Sequence, residues 1–181
     1  CAASATTVRI ELPDLVTISI VLERATAAPG TSVGVTDTIQ NAGNVASSST
    51  TTRYYLSTDG LKSPDDLLVT STRYVSTIAP GATSSGSRSV IVPVSTPNGT
   101  YRVLACADDL LKLIEANESN NCRATSSVLT VALPDLAVLS ITNPPAASSP
   151  DAVFGVSDTV HNRGAAASSG WSTVRYYLSG D

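Results

Sequence analysis

Carboxylates and side-chain amides crowd two short stretches of this chain. Asp59, Asp65 and Asp66 fall in one; Asp108, Asp109, Glu115 and Glu118 fall in the other, with Asn117, Asn120 and Asn121. A calcium ion takes about six to eight oxygens from carboxylates, amides and main-chain carbonyls. Asp59, Asp65, Asp108, Glu115 and Glu118 are therefore candidate ligands, and calcium is the one cofactor this composition suits. Asp181, which repeats Asp59 later in the chain, points the same way. The competing reading is structural, because Asp and Asn are ordinary turn formers that bond their own backbone, and no D-x-D-x-D-G loop is present.

Catalytic patterns are poorer. Gly30-Thr31-Ser32-Val33-Gly34 satisfies G-x-S-x-G, but a nucleophile elbow needs a strand-to-helix turn and a histidine base. Here a Pro29-Gly30 turn leads into a strand-like run, and the sole histidine, His161, lies far along the chain. One imidazole and three cysteines make neither a zinc site nor a triad, so no catalytic residue is assigned and no enzyme is expected.

The elements that must position these loops read as strands. Charged residues are only 14% of the 181, and Ser and Thr supply about a quarter. Net charge is −4, so no basic surface exists to neutralise phosphates, and nucleic acid is not an expected partner. No apolar run approaches the roughly 18 residues of a membrane span. Runs rich in Val, Ile, Thr and Tyr alternate with Pro, Gly, Asn, Asp and Ser clusters, the texture of an all-β sandwich or barrel. The pattern predicts strands over Asp14–Leu22, Ser32–Gln40, Thr50–Ser57, Leu67–Val75, Ser87–Val94, Thr100–Ala107 and Ala124–Val131. Asp108–Asn117 alone looks helical, with Leu110, Leu111, Leu113 and Ile114 after a capping Asp108. It is too short for more than one or two turns. Asp37 shares strand parity with Val33, Val35 and Ile39; it must either meet Thr or Tyr hydroxyls inside the protein or be turned outward by a bulge.

An internal repeat organises the whole. Leu12-Pro13-Asp14-Leu15 returns as Leu133-Pro134-Asp135-Leu136, and 17 of the 38 positions from Leu12 to Ser49 match at that offset of 121. After one inserted residue, Arg53-Tyr54-Tyr55-Leu56-Ser57 returns as Arg175-Tyr176-Tyr177-Leu178-Ser179. Cys1 precedes Leu12 by the same eleven residues that separate Cys122 from Leu133. Three segments follow: 1–11 as the last strand of a preceding unit, 12–132 as one whole unit, and 133–181 as the first three strands of the next. The strands missing from the third segment are expected from further chain or from a neighbouring subunit.

Pro13-Asp14-Leu15, Asn41-Ala42-Gly43, Tyr55-Leu56-Ser57 with Asp59 and Asp65, Gly99-Thr100-Tyr101, and Cys106-Ala107-Asp108 leading to Glu115-Ala116-Asn117-Glu118-Ser119-Asn120-Asn121 together resemble the CARDB family, the cell-adhesion-related domain found in bacteria. The resemblance covers 13–132 fully and 134–181 in part. It implies an immunoglobulin-like, seven-stranded β-sandwich repeated in large secreted or surface proteins of bacteria and archaea. No single activity is implied, because such domains serve as spacers, adhesion modules or appendages.

Cys106 ends one predicted strand and Cys122 starts the next, so a disulfide between them, favoured over two free thiols, would close the acidic loop and point to an extracellular or cell-surface location. Cys1 would then pair with a cysteine upstream; an acylated lipoprotein cysteine is the rival reading. Arg53, Tyr55, Arg175 and Tyr177 should point outward if Tyr54, Leu56, Tyr176 and Leu178 point inward. That repeated Arg/Tyr stripe is a candidate interface with neighbouring copies or adjacent repeats, or else a plain solvated strand face. The functional expectation is a structural repeat building an extracellular filament, stalk or sheath, the alternative being a glycan- or protein-binding adhesion module. Trp171 is the only aromatic platform, and Ser49 stands in its place in the complete unit.

Overall fold

The computed structural model describes residues 6–168 and 170–180. Cys1 and Asp181 lie outside the described residues. Contacts divide the chain at Ala132/Leu133 into two compact units.

The first unit is a two-layer β-sandwich. Its strands are β1 (Leu15–Leu22), β2 (Thr26–Ala27), β3 (Ser32–Asn41), β4 (Thr50–Ser57), β5 (Leu67–Val75), β6 (Thr83–Ile91), β7 (Gly99–Cys106), β8 (Cys122–Ala124) and β9 (Leu129–Val131). One sheet has the order β1-β3-β6; the other runs β2-β9-β7-β4-β5, with β8 also paired to β7. The chain changes sheets between β1 and β2, and β2 lies parallel to β9. Alternation along β3 aims Val33, Val35, Asp37 and Ile39 inward. Val33 and Val35 meet Tyr54, Leu56, Val69 and Val103 from the facing sheet in a core to which both layers contribute. A second apolar cluster, of Leu15, Ile39, Val75, Ile78 and Ala107, seals one end. Residues 12–132 therefore hold a closed core built from their own strands.

Asp37 is fully buried and faces that core. Tyr54 donates its hydroxyl to Oδ2 at 2.6 Å, as a Tyr partner would. The larger share falls to Arg73 on β5, whose Nε donates to both carboxylate oxygens at 3.0 Å, with Nη2 on Oδ1 as well. An ion pair thus bridges the two sheets, and β3 needs no outward bulge there.

Several strand limits differ from the sequence expectation. The sixth strand spans Thr83–Ile91 rather than 87–94. Its first half is serine-rich and carries little β signal, yet Ser85 and Ser87 hydroxyls bond Thr38 and Thr36 across the ladder at 2.8 Å. Pro93, which has no N–H to give, lies beyond its end. The expected Ala124–Val131 strand is interrupted, giving β8 and β9, because Thr125 turns aside: its Oγ1 accepts from the Val103 amide and donates to the Ser127 carbonyl. With the two-residue β2, the described residues of this unit form nine strands, where seven were expected. Residues 108–117 are not helical. Asp108 and Leu111 have φ of 41° and 49°, in the left-handed region closed to a right-handed helix, and Asp108 Oδ2 accepts the Leu113 amide at 2.8 Å.

The second unit is a two-stranded antiparallel sheet of β10 (Leu136–Ile141) and β11 (Asp158–Asn162). Its register shift between Val138 and Ser140 is the counterpart of the one between Thr17 and Ser19. The turn chemistry recurs as well. Asn41 Oδ1 accepts from the Asp14 and Gly43 amides and Nδ2 donates to the Val45 carbonyl; Asn162 does the same with Asp135, Gly164 and Ala166. A Cβ on Gly43 would lie 2.4 Å from the Leu12 carbonyl oxygen, and one on Gly164 would lie 2.4 Å from that of Leu133. Both positions need glycine because the Leu-Pro-Asp backbone crosses directly over them. The third strand expected in this unit does not form: 171–180 carry no ladder, for β4 is paired by both β5 and β7, and among the described residues this unit offers no counterpart to either.

Candidate functional site

Strand direction sorts the chain's chemistry to two poles of the first unit. The chain enters at Pro13–Leu15, beside the ends of β3, β5 and β7 and the start of β4. It leaves at Val131, which pairs with Gly99 at the start of β7, at the opposite pole. The first pole is the inlet and the second the outlet.

The inlet is capped by the loop 107–121. Cys106 and Cys122 stand directly opposite each other in the β7–β8 ladder and are joined by a disulfide. Asp108 is fully buried and accepts from the Thr50 hydroxyl as well as from Leu113. Glu115 accepts the Leu15 amide on Oε2 and the Asn121 amide nitrogen on Oε1 at 3.1 Å. Its own N–H is taken by Glu118 at 3.0 Å. The Ala116 amide donates to the Pro13 carbonyl at 2.9 Å, and Asn120 Nδ2 to Asp14 Oδ1 at 2.9 Å. The loop thus clasps three successive residues of the incoming chain, Pro13, Asp14 and Leu15.

Asp109 lies on the outer side of this loop. It accepts from the Tyr55 hydroxyl and, at 3.1 Å, from Arg53 Nη1, while the Lys62 ammonium sits 4.1 Å from the Tyr55 ring centroid. Tyr55 is accordingly only 7% exposed, and burial first, then the bond to Asp109, pushes its hydroxyl up to about 12. The outward orientation expected for Arg53 and Tyr55 holds as strand parity, but Asp109, Lys62 and the disulfide cover that face of the sheet. Arg175 and Tyr177 in the second unit are exposed.

The five proposed calcium ligands do not come together. Asp108, Glu115 and Glu118 are at the inlet. Asp59 bonds Ser57 Oγ and the Leu61 amide, and Asp65 bonds Ser63 Oγ, in the β4–β5 connection at the outlet. Asp108 meets β4 at Thr50 and Asp59 meets it at Ser57, so seven steps at ~3.3 Å separate the two groups. Each carboxylate already serves protein donors. Among the described residues, the one convergent set of metal-type ligands is Asp109 with Cys106 and Cys122, whose sulfurs are tied to each other. The G-x-S-x-G run is a turn at Gly30 followed by β3, with Ser32 opposite Ile91; His161 lies on β11 opposite Ala137. Arg73 and Asp109 went unassigned in the sequence. Arg73 carried a usable signal, since it shares parity with Val69 and Val75 on β5.

The CARDB family model matches residues 12–125. The chain belongs to the CARDB family. The match is to one domain. Similar solved structures include a CARDB domain of a Pyrococcus furiosus protein in complex with di-metal ions, at 22% identity and TM-score 0.48 over 68% of this chain and 97% of that one. Another is a domain of a candidate cell surface protein from Methanosarcina acetivorans, at 23% identity and TM-score 0.46 over 66% and 92%. A β-glucosidase from Erythrobacter marinus matches at 16% identity and TM-score 0.43 over 66% of this chain and only 15% of that one. No curated protein matches the chain. In this CARDB domain no helix is long and apolar enough to cross a membrane among the described residues.

One pH effect follows from the inlet clasp. Burial first, then the nearby Glu118 and Asp108 charges, raise the Glu115 carboxyl from 4.5 to about 7, against the lowering effect of the Leu15 and Asn121 donors. The folded domain therefore holds a proton between those values that the unfolded chain has released. Stability is fully present below about 4.5 and falls as pH rises through about 7. Protonation also suits the geometry: Asn121 Oδ1 is buried without a partner, and turning that amide over lets a Glu115 O–H donate to it. Urea unfolding at pH 5 and pH 8 should show the higher midpoint at pH 5, and Glu115→Gln should flatten the difference. An unchanged slope in the variant would place the effect elsewhere.

Proposed function

We propose that this CARDB chain is a non-enzymatic structural segment of a secreted or cell-surface protein of bacteria or archaea, in which immunoglobulin-like sandwiches follow one another in tandem and pack end to end into a filament, stalk or sheath. The observation that carries this reading is the polarity of the domain, with the incoming chain clasped at one pole and the outgoing strand ending at the other. The recurrence of the Asn41 turn at Asn162 and of the Gly43 crossing at Gly164 supports a second domain that starts as the first does. The acidic loops, on this reading, brace the fold from within and need no resident calcium. An extracellular location accords with the Cys106–Cys122 disulfide. Adhesion by a displayed loop is the second reading, favoured by the exposed apolar side chains of the inlet loop.

Negative-stain electron microscopy of the native material is the test. Continuous filaments with an axial repeat of about 35–45 Å, one sandwich of roughly ten-residue strands plus loops, are expected. Separate globules would sink the structural reading and turn attention to ligand screening of the inlet loop.

A further inference from the structure

Leu110, Leu111 and Ile114 are 52%, 66% and 78% exposed, on a loop whose other large apolar residue, Leu113, tucks against the Leu15–Ile39 cluster. Three large side chains are thus held out in water by a segment that is itself rigidly fixed, through the disulfide, Asp108, Glu115 and the Ala116–Pro13 bond. A loop that merely closed the pole would have no use for them. Their position says what they meet. Ile114 immediately precedes Glu115 and Ala116, which bond Leu15 and Pro13, so the patch borders the chain where it enters the sandwich. On the tandem reading, a sandwich that ends just ahead of Leu12 would lie next to this patch.

The linker leaves little room. Four residues lie between Val131, the end of β9, and Leu136, the start of β10, and four residues extend to at most about 14 Å. The outlet offers a matching surface: Val94 is 83% exposed and Leu61 70%, both in connections at that pole. Charge is muted at the contact, since Asp108 and Glu115 have their carboxylates buried on protein donors, and the exposed Glu118, which accepts the Glu115 amide, is offset by the exposed Lys112.

We propose that the patch of Leu110, Leu111 and Ile114 is a docking surface for the outlet of a second copy of this domain, the one standing immediately ahead of Leu12 in a tandem array. The occupant is a like sandwich in the same chain, and the contact fixes the angle between successive domains. The proposal rests on the tandem reading above and adds to it the residues that make the array stiff. The same loop that grips the linker presses on the domain that the linker joins, so direction and contact are set by one disulfide-closed element.

The test uses residues 12–132, whose core is closed by their own strands, joined twice in series through the natural Leu-Pro-Asp-Leu junction. Rotational correlation times from 15N relaxation read whether the two domains tumble together. The variant Leu110→Ser, Leu111→Asn, Ile114→Ser is placed in the second copy alone, and in a parallel sample in the first copy alone, whose loop has no sandwich ahead of it. The expected result is one rigid body for the parent pair and for the first-copy variant. The second-copy variant should tumble as two bodies, with the correlation time of each domain falling by about half. A second-copy variant as rigid as the parent overturns the docking while leaving the tandem rod intact. Loss of rigidity from either copy also overturns it, because the loop would then be acting through its own domain's fold. A parent pair that already tumbles as two bodies overturns the stiff-rod reading and the docking with it; unchanged melting of the single domain carrying the triple variant guards against misfolding.

Discussion

Replacing Asp37 by alanine should cost the first domain about 3–5 kcal/mol of unfolding free energy, the usual penalty for stranding one half of a buried ion pair. Arg73 is the stranded partner. Its guanidinium is almost wholly buried, its Nε and Nη2 both point at Asp37, and the two other acceptors it reaches are Ser84 Oγ and the Ser84 carbonyl. Tyr54 loses its acceptor at the same time. Folded domains are stable by only about 5–15 kcal/mol in total, so urea unfolding should show a domain near the edge of folding. A loss below about 1 kcal/mol would mean that water reaches Arg73 and the pair matters little. The companion change separates attraction from desolvation. Asp37→Leu with Arg73→Met removes both charges and keeps comparable apolar volume, and it should regain most of the loss, because such swaps are often neutral or stabilising. What the pair supplies is then register. It ties β3 of one sheet to β4 and β5 of the other at a single height, and Tyr176 donates to Asp158 in the second unit as Tyr54 does to Asp37.

That pair also marks how far the sequence could be read. The inward parity of Asp37 was plain from Val33, Val35 and Ile39, and a tyrosine partner was among the expected solutions. The inward parity of Arg73 was readable from Val69 and Val75, but its pairing with Asp37 was not, because β5 lies 36 residues away in sequence and nothing local links the two. β4 and β5 were legible to the residue because their apolar and β-branched residues are dense and their ends carry Ser and Pro. β6 was misplaced because its pairing rests on Ser and Thr hydroxyls, whose strand preference is set by the neighbour they bond rather than by burial. The inlet loop read as helix since its leucines are spaced for one, whereas Asp108 bonds the backbone five residues on and forces the chain through positive φ. Acidic residues in two loops looked like one set of ligands until strand direction assigned them to opposite poles; only topology could say so. Tyr55 was expected outside on parity alone, which says which side of a sheet a residue faces but not whether a loop lies over it.

The disulfide is where loop and fold meet, and its removal should be the second large effect. Closing the 16-residue separation between Cys106 and Cys122 is worth about 3 kcal/mol by loop entropy. Cys106→Ala with Cys122→Ala in residues 12–132 should lower the unfolding free energy by roughly that amount, and mild phosphine reduction of the parent should do the same. Where the loss appears is as telling as its size. The β7–β8 ladder and the closed core remain, so the domain should still fold, but the loop's hold on the incoming chain should slacken. Hydrogen exchange at the Leu15 and Ala116 amides, which donate to Glu115 and Pro13, should quicken more than at Val103 or Val35 in the core. Equal acceleration everywhere would make the bridge a general staple with no special tie to the inlet. No change at either place would mean that Asp108 and Glu115 alone order the loop, and the cysteines would then add nothing to the clasp. The combination expected, a stable core with a loosened inlet, would make the disulfide the element on which the direction of the chain into the domain depends.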